Sequence, residues 1–169
     1  ALENGVQVFL IARDAEQAVY ERLSQGADAF DDRQCAMIAV DDTYEAMADI
    51  GRAIWSSHGQ QVPGRVTLAV TGSNGKTTTK DFLGALLESA YPGEVFSTPG
   101  NLNSHIGLPI SLTGLSTGHR YVVLEMGSSG LGDIAYLVGI APIERALVTC
   151  VSAAHLEGLG EEVAVVKEK

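Results

Sequence analysis

The chain has 169 residues, is 46% hydrophobic and 19% charged, and carries a formal net charge of −10. That length suits one ordinary domain or two small ones, and the composition supports a buried core, which excludes an intrinsically disordered chain. The acidic balance opposes binding to nucleic acid or anionic lipid, and the four lysines form no basic patch: Lys76 and Lys80 flank a glycine-rich loop, while Lys167 and Lys169 close the chain.

Cys35 and Cys150 fit neither a metal spacing nor a disulfide framework. They are expected to be reduced, small core-filling residues of a cytoplasmic protein. No apolar run is long enough to span a bilayer, so membrane insertion is not expected.

In chain order, Val6–Ala12 reads as a short strand and Ala15–Gly26 as a helix with Ala15, Ala18, Val19 and Leu23 on one face. Ala36–Val40 reads as a second strand. Asp42-Thr-Tyr-Glu45 has the spacing of a capping box, ahead of a helix expected to bury Met47, Ile50 and Ile54. The polar stretch Ser56–Gly64, ending in Pro-Gly, is the best linker candidate.

Beyond it the alternation is stricter. Val66–Val70 is an apolar strand, followed by the glycine loop and a helix Thr77–Ala90 expected to bury Phe82, Leu83, Leu86 and Leu87. Glu94–Thr98, Tyr121–Met126 and Ala146–Val151 read as strands, with a helix near Asp133–Gly139 between the last two. Apolar strands separated by helices predict an α/β fold, a mostly parallel sheet with flanking helices on both faces.

The glycine loop, Thr71-Gly72-Ser73-Asn74-Gly75-Lys76-Thr77-Thr78, is a shortened version of the phosphate loop that ends in Gly-Lys-Ser/Thr. Its setting between an apolar strand and an amphipathic helix suits that chemistry. The glycines let backbone N–H groups turn toward phosphate oxygens, and the helix adds its positive end. Lys76 is placed to neutralise phosphate charge, and the Thr77 hydroxyl to ligate Mg²⁺.

Three further segments follow strands, at the rim where ligands bind in open α/β sheets. Glu125 ends the run Tyr121–Leu124 and suits a cation. His155, in His155-Leu-Glu-Gly158, is a candidate second metal ligand, with a weaker claim for Glu157. Thr98–Gly107 is rich in Asn and Gly, which also suits an ordinary turn-rich loop.

Taken together and in this order, these segments resemble the Mur ligase family. The match rests on the loop Thr71–Thr78, on Gly100-Asn-Leu-Asn103 with Ile106-Gly107, on Leu124-Glu-Met-Gly127, and on Ala154-His-Leu-Glu-Gly158. It covers about Arg65–Lys169, and it looks most like the branch that joins D-alanyl-D-alanine to a UDP-N-acetylmuramoyl-tripeptide. The resemblance implies a partial uridine-nucleotide-binding domain over 1–64 and a partial central ATPase domain of phosphate-loop type over 65–169. A C-terminal Rossmann-like domain would lie elsewhere, so the chain is expected to be a fragment. It further implies ATP and Mg²⁺, with Thr77 and Glu125 on a first Mg²⁺ and His155 on a second. A carbamylated lysine, Lys169 by spacing or else Lys167, would help hold that second ion, and Asn101 would lie near the reacting groups. Ser128-Ser-Gly-Leu-Gly132 departs from the family, which often has Asn and His after the glutamate.

Two other readings stay open at this point. One is a neighbouring amide ligase, such as the tripeptide-forming Mur enzyme or folylpolyglutamate synthetase. The other is a nucleotide-binding module that forms no bond.

Overall fold

The computed structural model describes residues 8–18, 21, 36–152 and 168. The helix expected over Ala15–Gly26 falls largely outside them, as do Cys35, His155, Glu157, Lys167 and Lys169.

The described chain forms two compact units, divided between Ala46 and Met47. In the first, β1 (Val8–Ala12) pairs in parallel with β2 (Ala36–Val40), Val8 opposite Ala36. Asp42 then starts helix α1 (Thr43–Gln61): its Oδ1 accepts from the N–H groups of Tyr44 (2.7 Å) and Glu45 (3.1 Å), which satisfies first-turn donors that no carbonyl can reach.

The second unit holds α1 from Met47 onward, then β3 (Val66–Thr71), α2 (Lys76–Ala90), β4 (Val95–Ser97), α3 (Gly107–Leu112), β5 (Tyr121–Glu125), α4 (Asp133–Ile140) and β6 (Arg145–Val148). Its four strands lie in the order β4-β5-β3-β6, all parallel. The chain moves outward from β3 to one side, then returns to place β6 on the other. The C-terminal end of β3 is thus a topological switch point, where parallel sheets open a crevice for ligands.

Strand periodicity divides the two faces. Ala69, Phe96, Val122 and Leu124 join one core with Ala48 and Trp55 of α1, Leu108 and Leu112 of α3, and Leu137 and Ile140 of α4. Ser97 and Val123, alternate to these, face α2, where Gly84 lies against the Ser97 side chain. Helices therefore cover both faces, and none among the described residues is long and apolar enough to cross a membrane.

The details differ from the sequence expectation in several places. In α1 the buried residues are Ala48, Gly51, Trp55 and His58, while Ile50 is exposed. The small residues let the helix approach closely: a Cβ on Gly51 would stand 3.0 Å from Ile140 and 3.2 Å from Pro109. In α2 the buried residues are Lys80 and Gly84, while Phe82 and Leu86 are exposed. Every residue of β6 is exposed, and it pairs only with β3 among the described residues. Cys150 is exposed rather than core-filling.

The segment expected as a linker is mostly helix. Ser56–Gln61 are the last residues of α1, which buries His58, and only Val62–Gly64 turn before β3. Arg65 closes that turn. Its guanidinium sits 3.7 Å over the Trp55 ring and donates to Trp55 O (2.9 Å) and His58 Nδ1 (3.0 Å), while His58 Nε2–H donates to Ser116 O (3.0 Å).

Candidate functional site

The glycine loop leaves β3 and is stitched to the segment that leaves β6. The Ser73 N–H donates to Cys150 O (2.9 Å), and the Thr149 N–H donates to Thr71 O (2.9 Å). Thr149 Oγ1 donates to Asn74 O (2.6 Å), and Ser73 Oγ both donates to Ser152 O (3.1 Å) and accepts from Ser152 N (3.0 Å). Gly72 is what permits this contact. Its φ is +134°, and a Cβ there would run into the Thr149 side chain and lie 2.9 Å from Cys150 O. Gly75, at φ +79°, then turns the chain into α2.

The first-turn N–H groups of α2, at Lys76, Thr77 and Thr78, have no carbonyl one turn before them, so the positive end of the helix faces the loop. The Lys76 ammonium folds over the same loop, donating to Gly72 O (2.8 Å) and Ser73 O (3.4 Å). Donors and positive charge gather there with no neutralising carboxylate on the loop itself, an arrangement suited to an anion.

Glu125 stands beside it at the tip of β5, and it is 1% exposed. Its Oε1 accepts from Thr77 Oγ1 (3.1 Å) and from Asn103 Nδ2 (2.6 Å), and its own N–H donates to Thr98 Oγ1 (3.0 Å). Its Oε2 is buried with no hydrogen-bond partner among the described residues. A buried carboxylate oxygen without a partner is costly. A hard cation bound by oxygens would satisfy it, and one carboxylate with one hydroxyl is the sparse protein share that Mg²⁺ takes beside phosphate and water. No group of three or more His, Cys, Asp or Glu side chains that could hold a metal occurs among the described residues.

The structure therefore brings Thr77 and Glu125 together from positions 48 residues apart. Thr71 ends β3, and its Oγ1 is buried without a partner among the described residues. Asn101 is exposed, and its carbonyl accepts from the Asn103 N–H (2.8 Å). Asn103, not Asn101, reaches Glu125. The pattern Gly100-Asn-Leu-Asn103 contains it, but nothing in the sequence says which asparagine turns inward. The Gly127 N–H holds Asn103 in place by donating to Asn103 O (2.9 Å).

The loop after Glu125 is ordered by acids at the start of α4. Asp133 accepts from Ser129 N, Gly130 N and Ser129 Oγ, and Glu168 accepts from Gly132 N (2.6 Å) and Ile134 N (2.7 Å). Burial alone would raise the Asp133 carboxyl, but those donors and nearby His105 outweigh it and hold it below the ordinary value. His105 Nε2 lies 3.1 Å from Asp133 Oδ1, within ion-pairing reach but without the alignment of a hydrogen bond.

The Mur ligase middle domain matches residues 70–169. The chain belongs to the Mur ligase family. The UDP-N-acetylmuramoyl-tripeptide–D-alanyl-D-alanine ligase of Bacillus subtilis is 39% identical over 134 residues, covering 79% of this chain and 28% of that protein. The ligase of the same name from Escherichia coli is 42% identical over 132 residues, 78% of this chain and 28% of its own length. The MurF ligase of Thermotoga maritima, solved in complex with ADP, superposes with a TM-score of 0.66 at 35% identity, over 82% of this chain and 30% of that one. The chain thus spans less than a third of the length of these Mur ligases.

Proposed function

We propose that this chain is part of an ATP-dependent amide ligase that joins D-alanyl-D-alanine to UDP-N-acetylmuramoyl-tripeptide during peptidoglycan precursor synthesis in the cytoplasm. The observation that carries the reading is the contact of Thr77 with a buried Glu125 whose second oxygen has no partner among the described residues, beside a phosphate loop in a Mur ligase chain.

The chemistry asked of the site is activation of a carboxylate. A free carboxylate is a poor acyl donor, and phosphorylation by ATP supplies a leaving group that the dipeptide amine can displace. The loop amides of Gly72–Thr78 and the Lys76 ammonium hold the phosphates. Thr77 and Glu125 would hold Mg²⁺, whose charge would offset that of the phosphoryl group. Asn103 orients the glutamate. His155, with Lys169 as a carbamate, is assigned to a second Mg²⁺, and Asn101 to the mouth of the site; His155 and Lys169 lie outside the described residues.

In this reading residues 1–64 belong to a uridine-nucleotide-binding domain and 65–169 to the central ATPase domain. A closing domain completes the site in the full-length enzyme, so this chain alone does not ligate. The test gives full-length protein ATP, Mg²⁺, the UDP-linked tripeptide and D-alanyl-D-alanine. Product by mass spectrometry, with one phosphate released per bond, is expected. ATP turnover that ignores both substrates would sink the ligase reading, and product only with a different amine would move the protein to another branch of the family.

A further inference from the structure

Lys80 lies one turn beyond Thr77 on α2, and at 1% exposure it is among the most buried side chains described. A lysine there is unexpected for packing alone, since removing an ammonium from water costs several kcal/mol unless its donors are met. Two backbone carbonyls meet them in part: Nζ donates to Thr98 O (2.8 Å) and to Gly100 O (3.0 Å). Asp81 Oδ1 lies 2.9 Å from Nζ, within ion-pairing reach but without the alignment of a hydrogen bond. Asp81 is largely exposed, which weakens its pull through solvent screening. The fixed part of the arrangement is the pair of backbone carbonyls.

Those carbonyls belong to the segment that grips Glu125. Thr98 Oγ1 accepts the Glu125 N–H, and Asn103, three residues beyond Gly100, donates to Glu125 Oε1. The same helix reaches Glu125 directly through Thr77. One turn of α2 thus closes a ring: Thr77 to Glu125, Glu125 to Asn103, and the Asn103 segment back to Lys80. A methionine would fill the same space but hold neither carbonyl.

We propose that Lys80 is a positioning residue for the cation site, fixing the Thr98–Asn103 segment so that Asn103 orients Glu125. The inference rests on the assignment of Thr77 and Glu125 to Mg²⁺. Its expected cost is that of losing a group that orients a metal ligand, about 10-fold to 100-fold in metal affinity.

The test is binding of a fluorescent ATP analogue to the full-length protein, titrated with Mg²⁺ and repeated in EDTA. Wild-type affinity should rise with Mg²⁺; if it does not, the cation assignment itself fails, and the inference about Lys80 falls with it. In Lys80→Met the Mg²⁺ needed for half-maximal binding should rise about 10-fold or more, with affinity in EDTA nearly unchanged. If that variant does not fold, Lys80→Gln carries the same test. Asn103→Ala should raise the Mg²⁺ requirement in wild type and add little in the Lys80 variant, because the two act through one contact. A Mg²⁺ requirement that does not move, an equal loss in EDTA, or additive effects of the two substitutions would each overturn the inference.

Discussion

Lys76 and His58 are both held by short hydrogen bonds, but they make different demands on the molecule. Lys76 is only partly buried, bonds to loop carbonyls and supports no core packing. Lys76→Ala should therefore leave the melting temperature within a degree or two, yet weaken nucleotide binding and cut ligation on the order of 100-fold or more in the full-length enzyme. Unchanged turnover would remove the loop from the mechanism. His58 is the reverse case. Burial is the main cause that lowers its pKa, and the Arg65 guanidinium lowers it further against the opposing Ser116 carbonyl. The unfolded chain takes up a proton near pH 6.5, and the folded chain only at lower pH. Between those values the unfolded state holds more protons, so stability rises with pH there, and the contribution is constant above about 6.5. Denaturant midpoints should therefore fall as pH drops from about 6.5 toward 5, and His58→Gln should flatten that slope. A slope that survives the substitution would assign it elsewhere. Part of the candidate site's geometry is legible in the sequence at this scale. Lys76, Thr77 and Glu125 are named by the loop and by a strand end, since motif spacing follows phosphate geometry. Asn103 and Lys80 are not, because which asparagine turns inward and which lysine is buried depend on the path of the Thr98–Gly107 loop.

The strands of the sheet are legible because apolar runs of β-branched residues have one stable setting, a sheet covered on both sides. Tyr121–Glu125 and Val66–Thr71 differ from expectation by a residue at one end. Helix faces are less so. Weight of apolar side chains points to Ile50 in α1 and to Phe82 and Leu86 in α2, whereas the sheet and its helices select Ala48, Gly51 and Gly84, where the backbone can come close. Helix α3 carries no sequence signal strong enough to be expected, since it has six residues and a proline in its first turn, a position proline tolerates. The loop between β3 and α2 gives the sharpest test of element geometry. Gly72→Ala would set a Cβ against Thr149 and Cys150 at a positive φ that alanine rarely adopts. The loop must then move away from the segment after β6. The expected outcome is a loss of roughly 1–3 kcal/mol of stability together with loss of nucleotide binding. A variant that binds nucleotide like the wild type would mean that the seam from Ser73 to Ser152 does not shape the loop.

The edge of the sheet bears on the behaviour of the whole molecule. Strand β6 gives one side to β3 and leaves its other backbone groups unpaired among the described residues, with Leu147 and Val148 each 44% exposed. An unpaired apolar edge is a template for pairing with another chain. Phe82 and Leu86 add exposed apolar surface on α2, and a net charge of −10 opposes association without protecting any one strand. The 169-residue chain should therefore self-associate with rising concentration, read by light scattering or sedimentation. Leu147→Lys should shift it toward monomer, because a lysine on an edge strand must be desolvated for a second strand to dock. In the proposed full-length enzyme, nearly three times as long on the scale of its relatives, the same substitution should do the opposite. There the edge is expected to be covered, so a charge placed on it loses water and lowers the melting temperature. A chain that stays monomeric at every concentration, or a full-length enzyme indifferent to Leu147→Lys, would show that β6 is a natural edge of this sheet.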